Sequence, residues 1–251
     1  MNTTKRYPIL NIWADDVTME SALEKVVEFV EGDNRVHTIF AANPEKNFSV
    51  PGDPILYEKY RTADLLLPDG IGIVMAARLL YKIPAKRVPG CEFMQETCRL
   101  AAEKGYPVFI YGAEETVNAK AVQTLQERFP GIQIVGRSNG YVPAEGMDDL
   151  IDRINASGAA ILFLALGSPR QEQWLARYGS RLEHVRSCQG IGGTLDVIAG
   201  NVKRAPVVFC KTGLEWFYRL ISDPKRLKRQ RVLPVFASQV LLEKMMIKIH
   251  R

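Results

Sequence analysis

The sequence predicts an α/β protein with a Rossmann-like, largely parallel sheet flanked by helices. Along the first 200 of the 251 residues, short apolar runs typical of buried strands alternate with helical patterns. Glycine-containing or polar turns follow most of these runs, as expected where strands lead into helices. Because composition changes only near Asn201, we expect one domain over residues 1–200 and a basic, amphipathic helical appendage over residues 201–251.

The first half of the chain begins with a short apolar strand and a well-marked helix. Thr18 is the candidate N-cap of this helix, and Gly32 ends it. Ala22, Val26 and Phe29 recur between them at helical spacing. The predicted elements, in order, are strand 9–13, helix 18–32, strand 36–42, helix 54–62, strand 65–67 and helix 70–80.

The second half of the chain continues the alternation and contains the most apolar strand, "AAILFLALG", at residues 159–167. Its composition indicates a strand in the interior of the sheet. The predicted elements are helix 90–105, strand 107–112, helix 113–131, a strand and loop over 132–141, helix 148–158, strand 159–167, helix 168–179, and a strand, loop and helix start over 184–200.

The net charge of +5 is unevenly distributed. Residues 201–251 carry 12 Lys and Arg against 3 Asp and Glu, whereas residues 1–200 carry 21 against 25, a net charge of −4. A basic appendage on a nearly neutral body indicates an anionic partner, which the sequence alone leaves as phospholipid, nucleic acid or a phosphorylated substrate.

Cysteine usage and hydropathy predict a cytoplasmic protein. The four cysteines form no C-x-x-C pair and no His lies at zinc-finger spacing, so we interpret them as reduced thiols. The N-terminal sequence contains no apolar signal-peptide region. No run approaches the roughly 20 apolar residues of a spanning helix, so we expect a soluble or peripheral protein.

Polar and glycine-rich turns follow five of the predicted strands. In open α/β sheets, ligands bind beyond the carboxyl ends of the strands, and a glycine there lets backbone N–H groups approach a phosphate. The five turns together predict a nucleotide or sugar-phosphate ligand; the alternative for each is a glycine that only permits a tight turn. The catalytic candidates in these turns are Asn43 and Asp69, and the candidates for binding substrate are Glu45, Gly70, Gly112, Gly167, Gln171, Gly192, Gly193 and Thr194.

The usual nucleotide-binding and metal-binding fingerprints are missing. The pairs Gly70-Ile-Gly72 and Gly190-Ile-Gly192 lack the third glycine of G-x-G-x-x-G, and no Walker A motif occurs. No D-x-D motif is present either. We therefore expect neither a metal ion nor a cofactor, and we expect arginines and helix N-termini to balance the charge of a leaving group.

The stretch "LLLPDGIGIV" places the carboxylate of Asp69 at the end of an apolar strand. A carboxylate in that position needs hydrogen bonds, water or a chemical role. One interpretation is a general base at the mouth of a cleft that accepts a hydroxyl proton. The alternative is an ordinary turn or N-cap aspartate. Asn43 and Glu45 are likewise either turn formers or ligands of a sugar hydroxyl.

Arg87 is a further catalytic candidate, and Gln171 is the candidate for binding substrate that begins a helix. Arg87 lies in "KRVPG", where Pro84 and Pro89 stiffen the loop and suit it to holding a phosphate; the alternative is a solvated surface charge. Gln171 begins a helix after the most apolar strand. It either contacts a base edge or a phosphate, or belongs to a plain capping segment.

Several stretches resemble the WecG/TagA/CpsF family of bacterial glycosyltransferases, in the family's order and over most of the chain. The resemblance implies metal-independent, inverting transfer of a hexose-type sugar from a UDP-sugar to a saccharide on a polyprenyl diphosphate. It implies N-acetylmannosamine, its uronic acid or glucose as the sugar, and cell-surface polysaccharide synthesis as the process. The matching blocks are "LLLPDGIGIV", "KRVPG", "VFIYGAEETV", "LFLALGSPRQEQW", "GIGGTLDVIAGNVKRAP" and "GLEWFYRLISDPKRLKR".

The resemblance also implies roles for individual residues. Asp69 matches the family's proposed base, and Arg87 and Gln171 match residues of the nucleotide-sugar pocket. Ala41 stands where many members have threonine, which puts the donor preference in doubt. The residues expected to line the nucleotide side are Gly192, Gly193, Thr194 and Asp196.

The appendage combines apolar patches with basic residues. We expect it to dock on the anionic inner face of the cell membrane, at about 1 kcal/mol per surface basic residue. Arg219, Arg226 and Arg229 are expected to turn toward the diphosphate. The resemblance implies that this segment closes the active site and excludes water. The alternative is a basic helix pair packed on the domain.

Two other functions remain as alternatives to the glycosyltransferase. A non-enzymatic nucleic-acid-binding protein would explain the basic appendage but not the glycine-rich turns, and no nucleic-acid motif occurs. The leading interpretation therefore includes no nucleic-acid partner. An epimerase would need a dinucleotide fingerprint or Tyr-x-x-x-Lys, and no tyrosine has Lys at that spacing. The oligomeric state is left open, with a homo-oligomer compatible with the sequence.

Overall fold

The computed structural model describes residues 4–202 and 231–249, together with the single positions Phe209 and Tyr218. Arg219, Arg226 and Arg229 lie outside these described residues. The strands are β1 (Arg6–Ile9), β2 (Ile12–Asp15), β3 (His37–Ala42), β4 (Leu65–Pro68), β5 (Val108–Gly112), β6 (Ile134–Ser138), β7 (Ile161–Ala165) and β8 (Ser187–Gly190). The α-helices are α1 (Met19–Glu31), α2 (Lys46–Ser49), α3 (Pro54–Thr62), α4 (Ile71–Tyr81), α5 (Gly90–Lys104), α6 (Glu115–Arg128), α7 (Met147–Ala156), α8 (Arg170–Tyr178), α9 (Thr194–Ile198) and α10 (Val232–Ile249).

Six strands form one parallel sheet in the order β4-β3-β8-β7-β5-β6. In β3, Ile39 lies opposite Leu65 of β4 on one side and Gln189 of β8 on the other. In β7, Phe163 pairs with Ile110 of β5 and with Gln189. Because β3 and β8 are neighbours, turns from the beginning and the end of the domain meet at their carboxyl ends. The predicted α/β class with a largely parallel sheet is confirmed.

The sheet is the middle layer of three, with helices packed on both faces. In β7, Leu162 and Leu164 face one hydrophobic core, whereas Ile161 and Phe163 face the other. Helices α3, α4, α7, α8 and α10 contribute to the first core, and α1, α5, α6 and α9 to the second. Burial on both faces explains why this strand has a continuous apolar run instead of alternating polarity.

The N-terminal strand differs from the sequence expectation. The predicted strand 9–13 was wrong: these residues surround the turn of an antiparallel hairpin, β1 with β2, in which Leu10 has a φ of 57°. The turn lacks the Asn-Gly type of dipeptide that marks tight hairpins. Asp15 accepts hydrogen bonds from Arg6 Nε at 2.7 Å and from the N–H of Leu66 at 2.8 Å. The hairpin is thereby fixed to the edge strand β4.

The predicted beginning of α1 is confirmed by its cap. The hydroxyl of Thr18 accepts from the N–H of Ser21 at 3.3 Å, and the N–H of Thr18 donates to Ser21 Oγ at 2.9 Å. This reciprocal pair satisfies backbone donors that the helix leaves unbonded. Helix α2 was not predicted, since a single turn is too short to show helical periodicity.

Helix α10 is the part of the predicted appendage that the structure describes at length. It packs against α4, and Phe236 and Val240 on the packed side are buried. Another side of the helix presents large apolar side chains to solvent. Within the described ranges, no helix combines the length and hydropathy needed to cross a bilayer. The exposed side chains are Val235, Leu241, Leu242, Met245 and Met246.

Candidate active site

A cavity of about 940 Å³ opens at the carboxyl edge of the sheet, beyond β3, β4, β7 and β8. It lies where the strand order brings the turns after β3 and β8 together, which is the usual ligand position in open α/β sheets. Val232 and Leu233 at the beginning of α10 complete part of the wall. The sequence-predicted residues that line it are Asn43, Glu45, Asp69, Gly70, Arg87, Gly167, Gln171, Gly192, Gly193, Thr194 and Asp196.

Gly112 has a different position from the other predicted residues. It ends β5 with a φ of 129°, and a Cβ atom there would lie 2.7 Å from Cα of Ala165 in β7. Its carbonyl accepts from Nδ2 of Asn118 at 2.8 Å. It is not among the described residues that line the cavity. Strand packing explains this glycine, and its position gives no support to the predicted binding role.

Two glycines after β4 allow the turns of β3 and β4 to touch. A Cβ atom on Gly70 would lie 2.7 Å from Cδ of Pro44, and one on Gly72 would lie 2.8 Å from Cγ of the same ring. Cβ atoms in proteins essentially never lie this close to another atom. A larger residue at position 70 or 72 would therefore push the two turns apart. The glycines therefore determine the distance between Asn43 and Asp69 across this part of the wall.

The carboxylate of Asp69 is held at the cavity wall by backbone contacts. The N–H of Asp69 donates to the carbonyl of Ala42 at 3.1 Å, which fixes the end of β4 against β3. Its Oδ1 atom accepts from the N–H of Gly90, the first residue of α5, at 3.2 Å. The side chain remains 29% exposed. A donor at a helix N-terminus favours the ionised carboxylate, which is the form a general base needs.

Arg87 lies directly beside Asp69. The N–H of the adjacent Val88 donates to the carbonyl of Pro68 at 3.0 Å, so the loop runs along the end of β4. Arg87 Nε donates to the backbone carbonyl of Asp69 at 2.5 Å, and its Nη2 lies 3.9 Å from Asp69 Oδ1. The guanidinium is therefore positioned at the cavity wall, as the stiff loop predicted.

Gln171 supports the turn after β8. Its side chain is buried against Gly190, where a Cβ atom would lie 2.8 Å from Cδ of the glutamine. Its Oε1 atom accepts from the N–H of Gly192 at 3.2 Å. This contact fixes the Gly192–Gly193 turn that forms one wall of the cavity. The geometry thus assigns Gln171 a positioning contact, whether or not it also touches a ligand.

The other predicted residues form turns that border the cavity. The Oδ1 atom and the carbonyl of Asn43 both accept from the N–H of Lys46, at 3.2 and 3.0 Å, and Glu45 lies within this turn. The hydroxyl of Thr194 donates to the carbonyl of Ile191 at 2.6 Å and caps the turn before α9. The turn at Asn43 and the turn at Thr194 both line the cavity.

Sequence reasoning missed a buried polar cluster behind the Asn43 turn. Lys46 lies beside the completely buried Glu172 and over the ring of Tyr60. Burial and the negative charges of Glu172 and Asp69 raise the pKa of the Tyr60 phenol well above its ordinary value. The neutral phenol donates to the carbonyl of Ala41 at 3.0 Å. The polar run 43–47 was the available signal for this cluster, but no motif connects it to residue 172.

The cavity wall carries more acidic than basic side chains. Among the described lining residues, Lys46 and Arg87 are the cations. No group of three His, Cys, Asp or Glu side chains in the described part of the chain is placed to hold a metal ion. A carboxylate in this wall can accept a proton, and the two cations can hold an anion. The acidic lining residues are Glu45, Asp53, Asp69, Glu92 and Asp196.

Comparison with known proteins agrees with this geometry. The model of the "Glycosyl transferase WecG/TagA/CpsF family" matches residues 7–249. A relative from Bacillus spizizenii, an N-acetylglucosaminyldiphosphoundecaprenol N-acetyl-β-D-mannosaminyltransferase, is 38% identical over 208 residues. The match covers 83% of this chain and 80% of the relative. The family match extends over nearly the whole chain, from the N-terminal hairpin into α10, and the chain therefore belongs to the WecG/TagA/CpsF family of glycosyltransferases.

Proposed function

We propose that this glycosyltransferase moves a hexose-type sugar from a UDP-sugar to a saccharide carried on a polyprenyl diphosphate, with inversion at the anomeric carbon. The observation that carries the proposal is the position of Asp69, a partly exposed and backbone-held carboxylate in the wall of the 940 Å³ cavity. A cavity of this size fits a sugar nucleotide and the end of an acceptor. The name of the Bacillus spizizenii relative supports a lipid-linked diphosphate sugar as acceptor.

In the proposed reaction, Asp69 accepts the proton of the acceptor hydroxyl. The acceptor oxygen then forms a bond to the anomeric carbon from the face opposite UDP. The bond from the anomeric carbon to the diphosphate oxygen breaks, and its electron pair leaves with UDP. Since the attack and the departure are on opposite faces, the configuration inverts. Arg87 balances the charge that develops on the departing diphosphate.

The donor sugar depends on contacts that the described residues only partly define. The relative's name supports N-acetylmannosamine, with its uronic acid or glucose as the other members of the proposed set. Ala41 lines the cavity beside Gly90, where a Cβ atom would lie 3.6 Å from the alanine Cβ. A methyl group at this point cannot form a hydrogen bond, so donor selection must depend on other wall residues.

We further propose that the protein works at the inner face of the cell membrane. Leu241, Leu242 and Met245 of α10 are each more than half exposed, as expected of a helix face that enters the boundary of a bilayer. The basic residues that follow Asn201 would attract anionic lipid. Arg219, Arg226 and Arg229 remain proposed ligands of the diphosphate.

This function can be tested by incubating the protein with each of a panel of UDP-sugars and a detergent-solubilised, polyprenyl-diphosphate-linked acceptor. We expect UDP release with one donor, only when the acceptor is present, and at the same rate with and without EDTA. Equal release without acceptor would identify a hydrolase. A rate that EDTA abolishes and Mg²⁺ or Mn²⁺ restores would contradict the metal-independent mechanism. Product anomeric configuration, read by NMR, tests inversion separately.

A further inference from the structure

Lys46 and Glu172 form an ion pair between two rims of the cavity. Lys46 begins α2 after β3, and Glu172 lies in α8 after β7, two strands away in the sheet. The Nζ atom of Lys46 lies 3.4 Å from Oε1 of Glu172 and contacts the hydroxyl of Ser168. The pair therefore joins turns that follow non-adjacent strands.

The two members of the pair differ in their access to the cavity. The side chain of Glu172 is completely buried, whereas that of Lys46 is 13% exposed and lines the cavity. Gln171 Nε2 lies 3.3 Å from the same Oε1 atom, and Oε2 has no hydrogen-bond partner among the described residues. A buried carboxylate with so few donors needs a cation beside it. Glu172 thus holds an ammonium group at the cavity wall.

The charge of the wall indicates what this ammonium group binds. Five carboxylates line the cavity in its described part, and they repel an anionic ligand. Arg87, the other described cation of the wall, lies beside Asp69, whose carbonyl accepts a hydrogen bond from its Nε atom. The ammonium of Lys46 lies 5.4 Å from the ring centroid of Tyr60, which further restricts where it can point. A compact lysine charge at a fixed position suits a phosphate group.

We propose that Lys46 binds the diphosphate of the nucleotide donor and that Glu172 is the positioning residue for it. This inference rests on the proposed function, because it assigns a subsite within the same cavity. Lys46 holds the donor diphosphate in the ground state and remains beside it when the bond to the sugar breaks. Asp69 and Arg87 keep the roles given above.

The test compares the binding of UDP, which carries a diphosphate, with the binding of uridine, which carries no phosphate. Replacing Lys46 alone leaves Glu172 buried without its cation and endangers folding, so the main variant is Lys46→Met combined with Glu172→Gln. We expect the Kd of UDP to rise about tenfold or more, as for loss of a charge-assisted hydrogen bond. We expect the Kd of uridine, followed by NMR, to change less than twofold. Lys46→Arg keeps the positive charge and should therefore weaken UDP binding less than the double variant does.

Lys120→Met, an exposed lysine of α6, is the matched control and should change neither constant. Equal weakening of UDP and uridine binding in the double variant would show a purely structural pair and overturn the inference. Unchanged UDP affinity with a raised KM for the lipid acceptor would also overturn it, because the diphosphate bound would be the acceptor's. Failure of the unmodified protein to bind UDP would instead refute the proposed donor.

Discussion

The Oδ1 atom of Asp69 accepts a hydrogen bond from the backbone N–H of Gly90 at 3.2 Å. This contact connects the end of β4 to the first residue of a 15-residue helix, α5. The positive end of the helix stabilises the carboxylate without using a side chain. An aspartate held in this way keeps its orientation, and its side chain is 29% exposed at the cavity wall.

Asp69→Asn should abolish most activity and preserve the fold. The amide can still accept the hydrogen bond from Gly90, but it cannot take a proton from the acceptor. We expect turnover to fall at least a hundredfold, within the range typical of general-base removal, with UDP affinity changed little. Rates of UDP release and binding titrations measure the two quantities. Asp152→Asn, at an exposed position of α7, is the control; near-normal turnover in Asp69→Asn would remove Asp69 from the mechanism.

Gly70→Ala should destabilise the protein and damage the cavity. The new methyl group would lie 2.7 Å from Cδ of the buried Pro44, whose ring has little freedom to move. Overpacking of this kind costs about 1–3 kcal/mol of unfolding free energy. Urea denaturation measures the loss, and the KM of the donor should rise as the turns separate. Gly52→Ala, where the nearest atom lies 3.9 Å away, should leave both unchanged.

The cysteines should differ sharply in their reactivity with thiol reagents. Burial raises the pKa of the Cys98 thiol to about 12 and also raises the pKa of the Cys188 thiol. Since the thiolate is the reactive form, both should resist labelling of the native protein at pH 8 and react only after unfolding. Cys91 is partly exposed and lines the cavity, so it should react faster, and UDP should slow that reaction.

Peptide mapping by mass spectrometry assigns each of these labels. The sign of the pH effect follows from the raised pKa: Cys98 stays protonated throughout the neutral range and gains thiolate only as the pH approaches about 12. Rapid native labelling of Cys98 at pH 8 would contradict its burial. Labelling of Cys91 at a rate independent of UDP would show that the nucleotide does not reach that part of the wall.

Removing apolar surface from α10 should weaken membrane binding without unfolding the domain. Leu242→Ser combined with Met245→Ser changes two side chains that are 59% and 61% exposed. We expect the partition coefficient onto anionic phospholipid vesicles to fall about tenfold, in proportion to the apolar area lost. Sedimentation with vesicles measures it. Tyr141→Ser, at a 68% exposed position of another surface, is the control, and an equal fall in that variant would argue against a specific role of α10.

Features encoded by neighbouring residues could be predicted from the sequence. The cap at Thr18 and the position of Asp69 after β4 both depend on short segments with strong local signals. The parallel sheet could be predicted because strands buried on both faces have continuous apolar runs. Most of the predicted turns also line the cavity, because they follow strands that end at the same edge of the sheet.

Features that depend on strand order could not be predicted. Gly112 follows a strand like the others, but β5 lies away from the place where β3 and β8 meet, and this order is not encoded in any local pattern. The contact of Lys46 with Glu172 joins residues 126 positions apart and requires the same knowledge. The hairpin of β1 and β2 was missed because apolar residues lie on both sides of its turn, Leu10-Asn11, and the turn contains no glycine to mark it.

The contribution of Val232 and Leu233 to the cavity wall has a consequence for biosynthesis. These two residues follow the eight strands of the described ranges in the order of translation, so a growing chain can form the sheet before it can complete the wall. Until α10 emerges from the ribosome and packs on α4, the pocket is open on that side. Translation order thus separates the formation of the sheet from the completion of the cavity wall.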